Sequence, residues 1–339
     1  MFSELKKFSG NNPVFLLPSG NKLFVYTYVG NTIGYYSTNE VSIESALEIP
    51  NISLYNSLEE ILESDESIVD ETPFDFDFDN ETESNEISAN NFVKAVSEFT
   101  KFYNTDDYRP ELTGLHIRKG TLFASDATIM RLKKTKTFPD TVNMIVDVNP
   151  LVDYLGINTR NIKTTGKSLF GSKAVVNDML NISTVTKDDN DSLKIDYKNL
   201  SFLCISVGKS NLSFEFIKTI KPTHYIKLHR KTLIKNLTQL VNNPSTNSDA
   251  IRDYVRFTID GNLSLTNFVY YDNDKTVLEM NCNCEDNVSF VLHANKLMTI
   301  LKTLTDSQVE IQYMRFGNIT RIISENSKDL LLIAQTTYK

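Results

Sequence analysis

Cysteine is scarce in this chain. Cys204, Cys282 and Cys284 are the three thiols in 339 residues; an odd number is a poor start for a disulfide framework and fits a reducing compartment. No apolar run approaches the roughly 20 residues of a membrane-spanning helix. The opening Met1-Phe2-Ser3-Glu4-Leu5 lacks the basic-then-apolar layout of a secretory leader, so a cytoplasmic protein with no membrane partner is expected. Basic charge is also short. Lys plus Arg is 35 against 43 Asp plus Glu, a net charge of −8. A strongly basic nucleic-acid module is thereby excluded, but a local basic surface is not.

Catalytic groups are few. None of the four histidines, His116, His224, His229 and His293, has a partner at metal-ligand spacing. There is no Gly-x-Ser-x-Gly, Walker loop or dinucleotide fingerprint. Gly166-Lys167-Ser168 matches only the tail of a phosphate loop, and Asn161 stands where its first glycine belongs. Cys282 and Cys284 would share one face of a strand, yet a metal would need two further ligands, for which Glu285 and Asp286 are the local candidates. Asp75, Asp77 and Asp79 alternate with Phe74, Phe76 and Phe78; this reads as an edge strand with one apolar face, or as an acidic linker. No catalytic residue, metal or cofactor is expected.

What is present is ordinary globular composition, 40% apolar and 23% charged, and one pattern that recurs three times. Each copy has a helix, strands joined by tight turns, a second helix and closing strands, an α+β class. In the first copy, Glu4–Phe8 is a short helix. Val14–Leu17 and Leu23–Val29 flank a Ser19-Gly20 turn, Ile33–Tyr36 and Val41–Ile43 are strands, and Leu54–Leu62 is the second helix. In the middle copy, Phe92, Ala95, Val96, Phe99, Phe102 and Tyr103 make the apolar stripe of a helix from Asn91 to Tyr103, capped by Asn90. Leu112–Ile117 and Thr121–Ala124 flank Lys119-Gly120, and Asn149-Pro150 opens a helix that Gly156 ends. Lys194–Tyr197, Phe202–Val207 and Leu212–Ile217 close this copy. In the last copy the helices are Lys231–Val241 and Ala294–Leu304, and Asp260-Gly261 turns a hairpin. The expected domains are 1–86, abbreviated and ending in an acidic linker; 87–221, with a basic insertion near 156–192; and 222–339.

Helices paired in this way, with sheets around them, can build a closed ring lined by helices. Lysines recur on the helix faces opposite the apolar stripes. Lys94 and Lys101 are seven residues apart and would align; Lys231 and Lys235, then Lys296 and Lys302, follow in the last copy, and Lys6 and Lys7 in the first. Glu59, Glu60 and Glu63 on the second helix of the first copy run against this trend.

Tyr108-Arg109-Pro110-Glu111-Leu112-Thr113-Gly114-Leu115, with Leu122-Phe123-Ala124-Ser125-Asp126 after it, resembles the start of the middle domain of bacterial-type DNA polymerase sliding clamps. The stretch from Lys296 through Val309-Glu310-Ile311 to Leu330–Ala334 resembles the end of that family's last domain. Met1 to about Ile68 is similar to the first domain of T-even phage clamps. That mixture, with abundant Asn, Lys and Ile, points to a phage. The resemblance implies the DNA-clamp fold and a ring-shaped homo-oligomer, expected as a dimer, that encircles duplex DNA without sequence preference. It implies a DNA polymerase tethered for processive replication, a clamp loader, and no chemistry. Lys94, Lys101, Lys231, Lys235, Lys296 and Lys302, with Lys6 and Lys7, would be the DNA-facing residues. Carried over by position, a partner-peptide pocket would include Ala127, Thr128, Ile129, Met130, Pro222, Ile333, Ala334 and Thr336. Ala127-Thr128-Ile129-Met130 departs from the family's Gly-His-Arg-Leu, so the pocket is expected to be altered. The alternative is a clamp-derived adaptor that recruits replication or transcription proteins without closing a ring.

Overall fold

A computed structural model describes residues 1–41, 43–63, 67–68, 74–104, 108–156, 178–211, 219–242, 253–260, 262–267, 277–280, 287–314 and 318–336. The expected strand Leu212–Ile217, the Gly261 turn position, Gly166-Lys167-Ser168 and the Cys282/Cys284 pair lie outside these. The described residues gather into two compact units, Met1–Thr100 with Thr105–Leu122 and Thr135–Ser210, and Lys101–Asn104 with Phe123–Lys134 and Asn211–Lys339. No helix is long and apolar enough to cross a membrane among the described residues.

In the first unit α1 (Phe2–Ser9) precedes β1 (Val14–Ser19), β2 (Lys22–Val29) and β3 (Thr32–Thr38). Two-residue loops join these strands, with Gly20 and Gly30 both at φ 58, the left-handed region that tight hairpins require. β4 is Leu47–Ile49 on the far side of β1, not the expected Val41–Ile43. The helix expected from Leu54 is broken in two. A 3-10 turn covers Ile52–Leu54, and α2 runs only over Leu58–Leu62. The cause is local capping: Asn51 Oδ1 accepts from Ser53 N–H at 3.0 Å and Ser57 Oγ from Glu60 N–H at 3.3 Å, so two starts compete. Leu54, the first residue of the expected helix, is exposed. Only the two-residue strand β5 (Ser67–Ile68) lies between α2 and β6 (Asn80–Glu81) among the described residues.

β7 (Asn85–Ser88) leads into α3 (Ala89–Val96). Ser88 caps α3, its Oγ accepting from Asn91 N–H at 3.2 Å. The helix therefore begins earlier than expected and stops before Phe99, Phe102 and Tyr103, which are nevertheless buried. β8 (Leu115–Arg118), β9 (Thr121–Ser125), β10 (Ile129–Lys134) and β11 (Asn143–Val146) follow, then α4 over 149–156. Residues 179–192, read as part of an insertion, belong to regular strands: β12 (Met179–Lys187) and β13 (Asn190–Tyr197) pair over eight residues, and β14 (Leu200–Gly208) joins them. Their turn places Asp188 and Asp189 at φ 48 and 63, a primed turn made without glycine.

β14 also pairs with β3, Phe202 opposite Gly34. Phe8 of α1 lies over this point, with its ring centroid 5.0 Å from that of Phe202. A Cβ on Gly34 would come within 2.5 Å of the Phe8 ring. The Arg-Pro–x–Leu–x–Gly motif is explained in similar terms. Pro110 opens a 3-10 turn, Leu112 is buried, and a Cβ on Gly114 would meet Val146 O at 2.7 Å.

The second unit adds β15 (His224–His229), α5 (Arg230–Val241), β16 (Tyr254–Asp260), β17 (Asn262–Asn267), β18 (Val277–Met280), β19 (Val288–His293), α6 (Ala294–Thr303), β20 (Gln308–Met314), β21 (Ile319–Ile323) and β22 (Leu330–Ala334). One sheet runs β18-β17-β16-β19; in the other, β15, β20, β21, β22 and β10 pair in succession. Leu233, Leu237 and Leu240 of α5 and Leu297, Ile300 and Leu301 of α6 are buried. Arg230 joins the helices' ends, donating from Nε to Asp306 O at 2.6 Å and from Nη1 to Leu301 O at 3.1 Å.

Gly34→Ala must displace Phe8, and should cost about 1–3 kcal/mol by overpacking, read as a lowered urea midpoint. His116 is buried between Ser210 Oγ (2.9 Å) and Glu111 O (2.7 Å), and burial lowers its pKa below the ordinary 6.5. The unfolded chain thus takes up a proton that the folded chain refuses, so stability falls as pH drops through about 6.5. His116→Gln should flatten that limb in urea titrations at successive pH values.

Candidate functional site

Of the residues carried over as a partner pocket, Ala127 to Met130 and Ile333, Ala334 and Thr336 lie where β10 meets β22, whereas Pro222 precedes β15, three strands from β22 in the same sheet. Ile129 faces Ile333 and Met130 faces Leu332, and Ala334 N–H donates to Thr128 O at 2.8 Å. Side chains alternate across this ladder. Ile129 and Ile333 are closed off from solvent at 1% and 0% exposure, so they form the back of the seam rather than its open face. Thr128, Met130, Ala334, Thr336 and, before β15, Pro222 are half-buried, and Ala127 is exposed. The row that starts at Met130 runs on through Leu332, Arg321, Gln312 and Tyr225 of β22, β21, β20 and β15, each opposite the next; Leu332 and Gln312 are buried and Tyr225 is exposed.

The turn before β10 is built around Asp126. Its Oδ1 accepts from Thr128 N–H at 2.9 Å and Ile129 N–H at 2.8 Å, and Ser125 Oγ donates to Ile129 O at 2.9 Å. Ala127 takes φ 70, where the clamp pattern has glycine. The other Asp126 oxygen pairs with Lys296 of α6, so Lys296 closes the seam instead of standing free. At the other end Arg131, buried, pairs with Asp329 and lies over the Phe102 ring at 5.8 Å. Past the strand, Gln335 Nε2 donates to Ile319 O at 2.9 Å and Thr336 N–H to Val291 O at 3.0 Å; the C-terminal segment is tied into both sheets of the second unit.

The other lysines fall into two groups. Lys6 donates to Ser53 O at 3.0 Å and Tyr55 O at 2.7 Å. Lys7 binds Glu4 at 2.7 Å and thereby lowers the Glu4 pKa. Lys94, Lys101, Lys231, Lys235 and Lys302 are exposed, with no ion-pair partner among the described residues. Lys231 and Lys235, one turn apart on α5, lie opposite its buried leucines. The expected helical alignment of Lys94 with Lys101 does not hold, because α3 ends at Val96.

Sequence reasoning missed the Asp126–Lys296 and Arg131–Asp329 pairs. Asp126, three residues before a hydrophobic strand start, carries an Asx-turn signal; nothing local marks Arg131 or Asp329 as partners. Among the described residues, no group of three or more His, Cys, Asp or Glu is placed to hold a metal. Burial pushes the Cys204 thiol up to about 12, which leaves it unreactive.

No family profile and no curated protein matches the chain. Solved structures do. A DNA polymerase sliding clamp from Pseudomonas aeruginosa is 11% identical, with TM-score 0.68 over 99% of this chain and 97% of that one. The sliding clamp from Caulobacter crescentus is 10% identical, with TM-score 0.71 over 99% and 96%. The DNA polymerase III subunit beta of Borrelia burgdorferi is 14% identical, with TM-score 0.70 over 100% and 96%. The chain has the fold of these clamps, repeated helix-and-sheet domains.

Asp126→Ala removes two charge-assisted caps and strands Lys296; it should cost about 3 kcal/mol in urea unfolding. Ala127→Gly should cost nothing, since relief of the left-handed strain offsets the added chain entropy.

Proposed function

We propose that the chain is a sliding clamp of DNA replication, a use supported by a fold that matches clamps along nearly their whole length. In this reading three domains, 1–86, 87–221 and 222–339, alternate around a ring of two copies. The copies enclose duplex DNA, and the ring holds a polymerase and is opened by a loader. The protein performs no chemistry. It works in the cytoplasm of a bacterial host, as a phage product. Binding is topological: the lining attracts phosphates weakly and reads no bases, and the acidic surface elsewhere discourages binding outside the hole.

The observation that carries the reading is the exposed basic face of α5, Lys231 and Lys235, in a chain of net charge −8. With Lys94, Lys101 and Lys302 it supplies ammonium groups on or beside helices, where a ring of this fold would present them to DNA. Lys6, Lys7 and Lys296 contribute less, since each is engaged. The open face of the β10–β22 seam, with Met130 at its centre, is the partner site; methionine adapts to varied apolar anchors. One observation favours the adaptor reading: the first copy holds only β5 between its second helix and β6 among the described residues. A ring needs a closing edge at that point.

Reversing Lys94, Lys101 and Lys235 to Glu should lower processive primer extension without lowering the melting temperature. It should also make DNA retention less sensitive to salt, the log–log slope falling by roughly 0.9 for each phosphate that is no longer neutralised. Wild-type extension across a salt series would remove the lining assignment. Met130→Asp should abolish binding of polymerase tail peptides with sedimentation unchanged. It is a cleaner probe than truncation after Ala334, which also removes Gln335 and its bonds to the sheet.

A further inference from the structure

The Phe74–Asp79 alternation has a place in the fold that neither the ring nor the seam uses. In β1, β2 and β3, Val14, Leu16, Val25 and Gly34 occupy the face toward α1. By alternation, Phe15, Phe24, Tyr26, Tyr28 and Tyr35 share the opposite face. Residues 74–78 lie across that second face with Phe74, Phe76 and Phe78 half-buried and Asp75 and Asp77 exposed, and join no strand ladder. The Phe76 ring is parallel to Phe24 at 4.6 Å, lies 4.6 Å from Tyr35 and meets Tyr26 edge-on at 5.3 Å. Phe74 and Phe78 pack into the same cluster.

The intervening residues meet a base. Lys187 of β12 pairs with the Asp75 carboxylate and donates to Asp77 O at 2.7 Å. Two backbone N–H groups of the segment donate to side chains: Phe74 N–H to Tyr26 Oη at 3.3 Å, and Asp77 N–H to its own neighbour Asp75 at 2.9 Å. Regular pairing with β12 begins only at Asp79 N–H to Thr186 O, 3.0 Å. Ring packing, the Lys187 ammonium and the Tyr26 hydroxyl hold this strap without a strand ladder, so its side chains and not main-chain pairing fix its position.

We infer that the aromatic face of β1–β3 is a docking site for an extended acidic peptide with aromatic residues at every second position. The chain fills it in cis with residues 74–78, and a partner protein's segment of the same chemistry takes it in trans. The strap shows which side chains the face accepts, and Lys187 selects acid at the intervening position. A tethered occupant competes at an effective concentration in the millimolar range, so the site opens only to a partner that displaces the strap. This site lies within the first unit and owes nothing to the clamp reading.

The test uses the full chain and a fluorescent peptide of sequence Phe-Asp-Phe-Asp-Phe-Asp-Asn, residues 74–80. The strap-vacated variant Phe74→Ser/Phe76→Ser should bind it at least tenfold more tightly than wild type does. Lys187→Glu in that background should lose at least tenfold, and a peptide with Ser for Phe should not bind. A folded vacated variant that ignores the peptide overturns the proposal. If that variant does not fold, hydrogen exchange on the wild type decides. Millimolar peptide should speed exchange at residues 74–79 and leave the β1–β2 ladder protected; unchanged exchange contradicts the proposal. Exchange at 74–79 that changes with protein concentration alone would assign the face to the strap of a second copy and overturn the separate partner.

Discussion

Edge strands that would otherwise be open are used up by pairing between copies of the repeat. β14, the last strand of the middle copy among the described residues, hydrogen-bonds to β3 of the first, with Phe202 opposite Gly34. β22, the last strand of the final copy, hydrogen-bonds to β10 of the middle one, with Ile129 opposite Ile333. An unpaired edge is a standing invitation to aggregation; here the same geometry answers it twice. Other features serve these two joints. Gly34 lacks a side chain because the Phe8 ring occupies that space. Asp126 fixes the turn that delivers β10 to β22, and Lys296 and Asp329 neutralise the charges left at the seam's ends.

The basic residues divide by what they reach. Lys296 is engaged by the Asp126 carboxylate at the β10–β22 joint, and Lys6 by the carbonyl oxygens of Ser53 and Tyr55. A lysine on the solvent face of a helix, such as Lys231, Lys235 or Lys302, has no such duty among the described residues and keeps its charge available. In a chain with more acid than base, that division concentrates positive charge on helices without changing the total. The proposed weak attraction to phosphates depends on this distribution rather than on net charge.

Much of this was legible in the sequence wherever period and punctuation agreed. α5 and α6 fall within a residue of their expected limits, because their apolar stripes are clean. Errors came where two local signals competed. Asn51 and Ser57 each cap a start, so one expected helix became a 3-10 turn and a single helical turn. Ser88 captured the start of α3, and the run of Phe99, Phe102 and Tyr103 looked helical because it is buried for tertiary reasons. The β12–β13 hairpin was hidden because its turn is Asp188-Asp189, with neither glycine nor proline to mark it. The candidate seam was reached by resemblance at Ala127 to Met130. Its buried pairs were not reachable, since Arg131 and Asp329 are far apart in the chain and no periodicity links them.

The proposed ring is a topological object, and its topology can be measured without a loader. Fluorescently labelled protein is followed on long linear duplexes tethered at one end, with the other end either free or capped by a bulky biotin–streptavidin block. The ring account predicts that molecules enter at the free end, diffuse along the duplex and are lost from that same end, and that capping abolishes capture. Equal capture on free-ended and capped duplexes would contradict it, because an open adaptor or a surface groove has no need of an end.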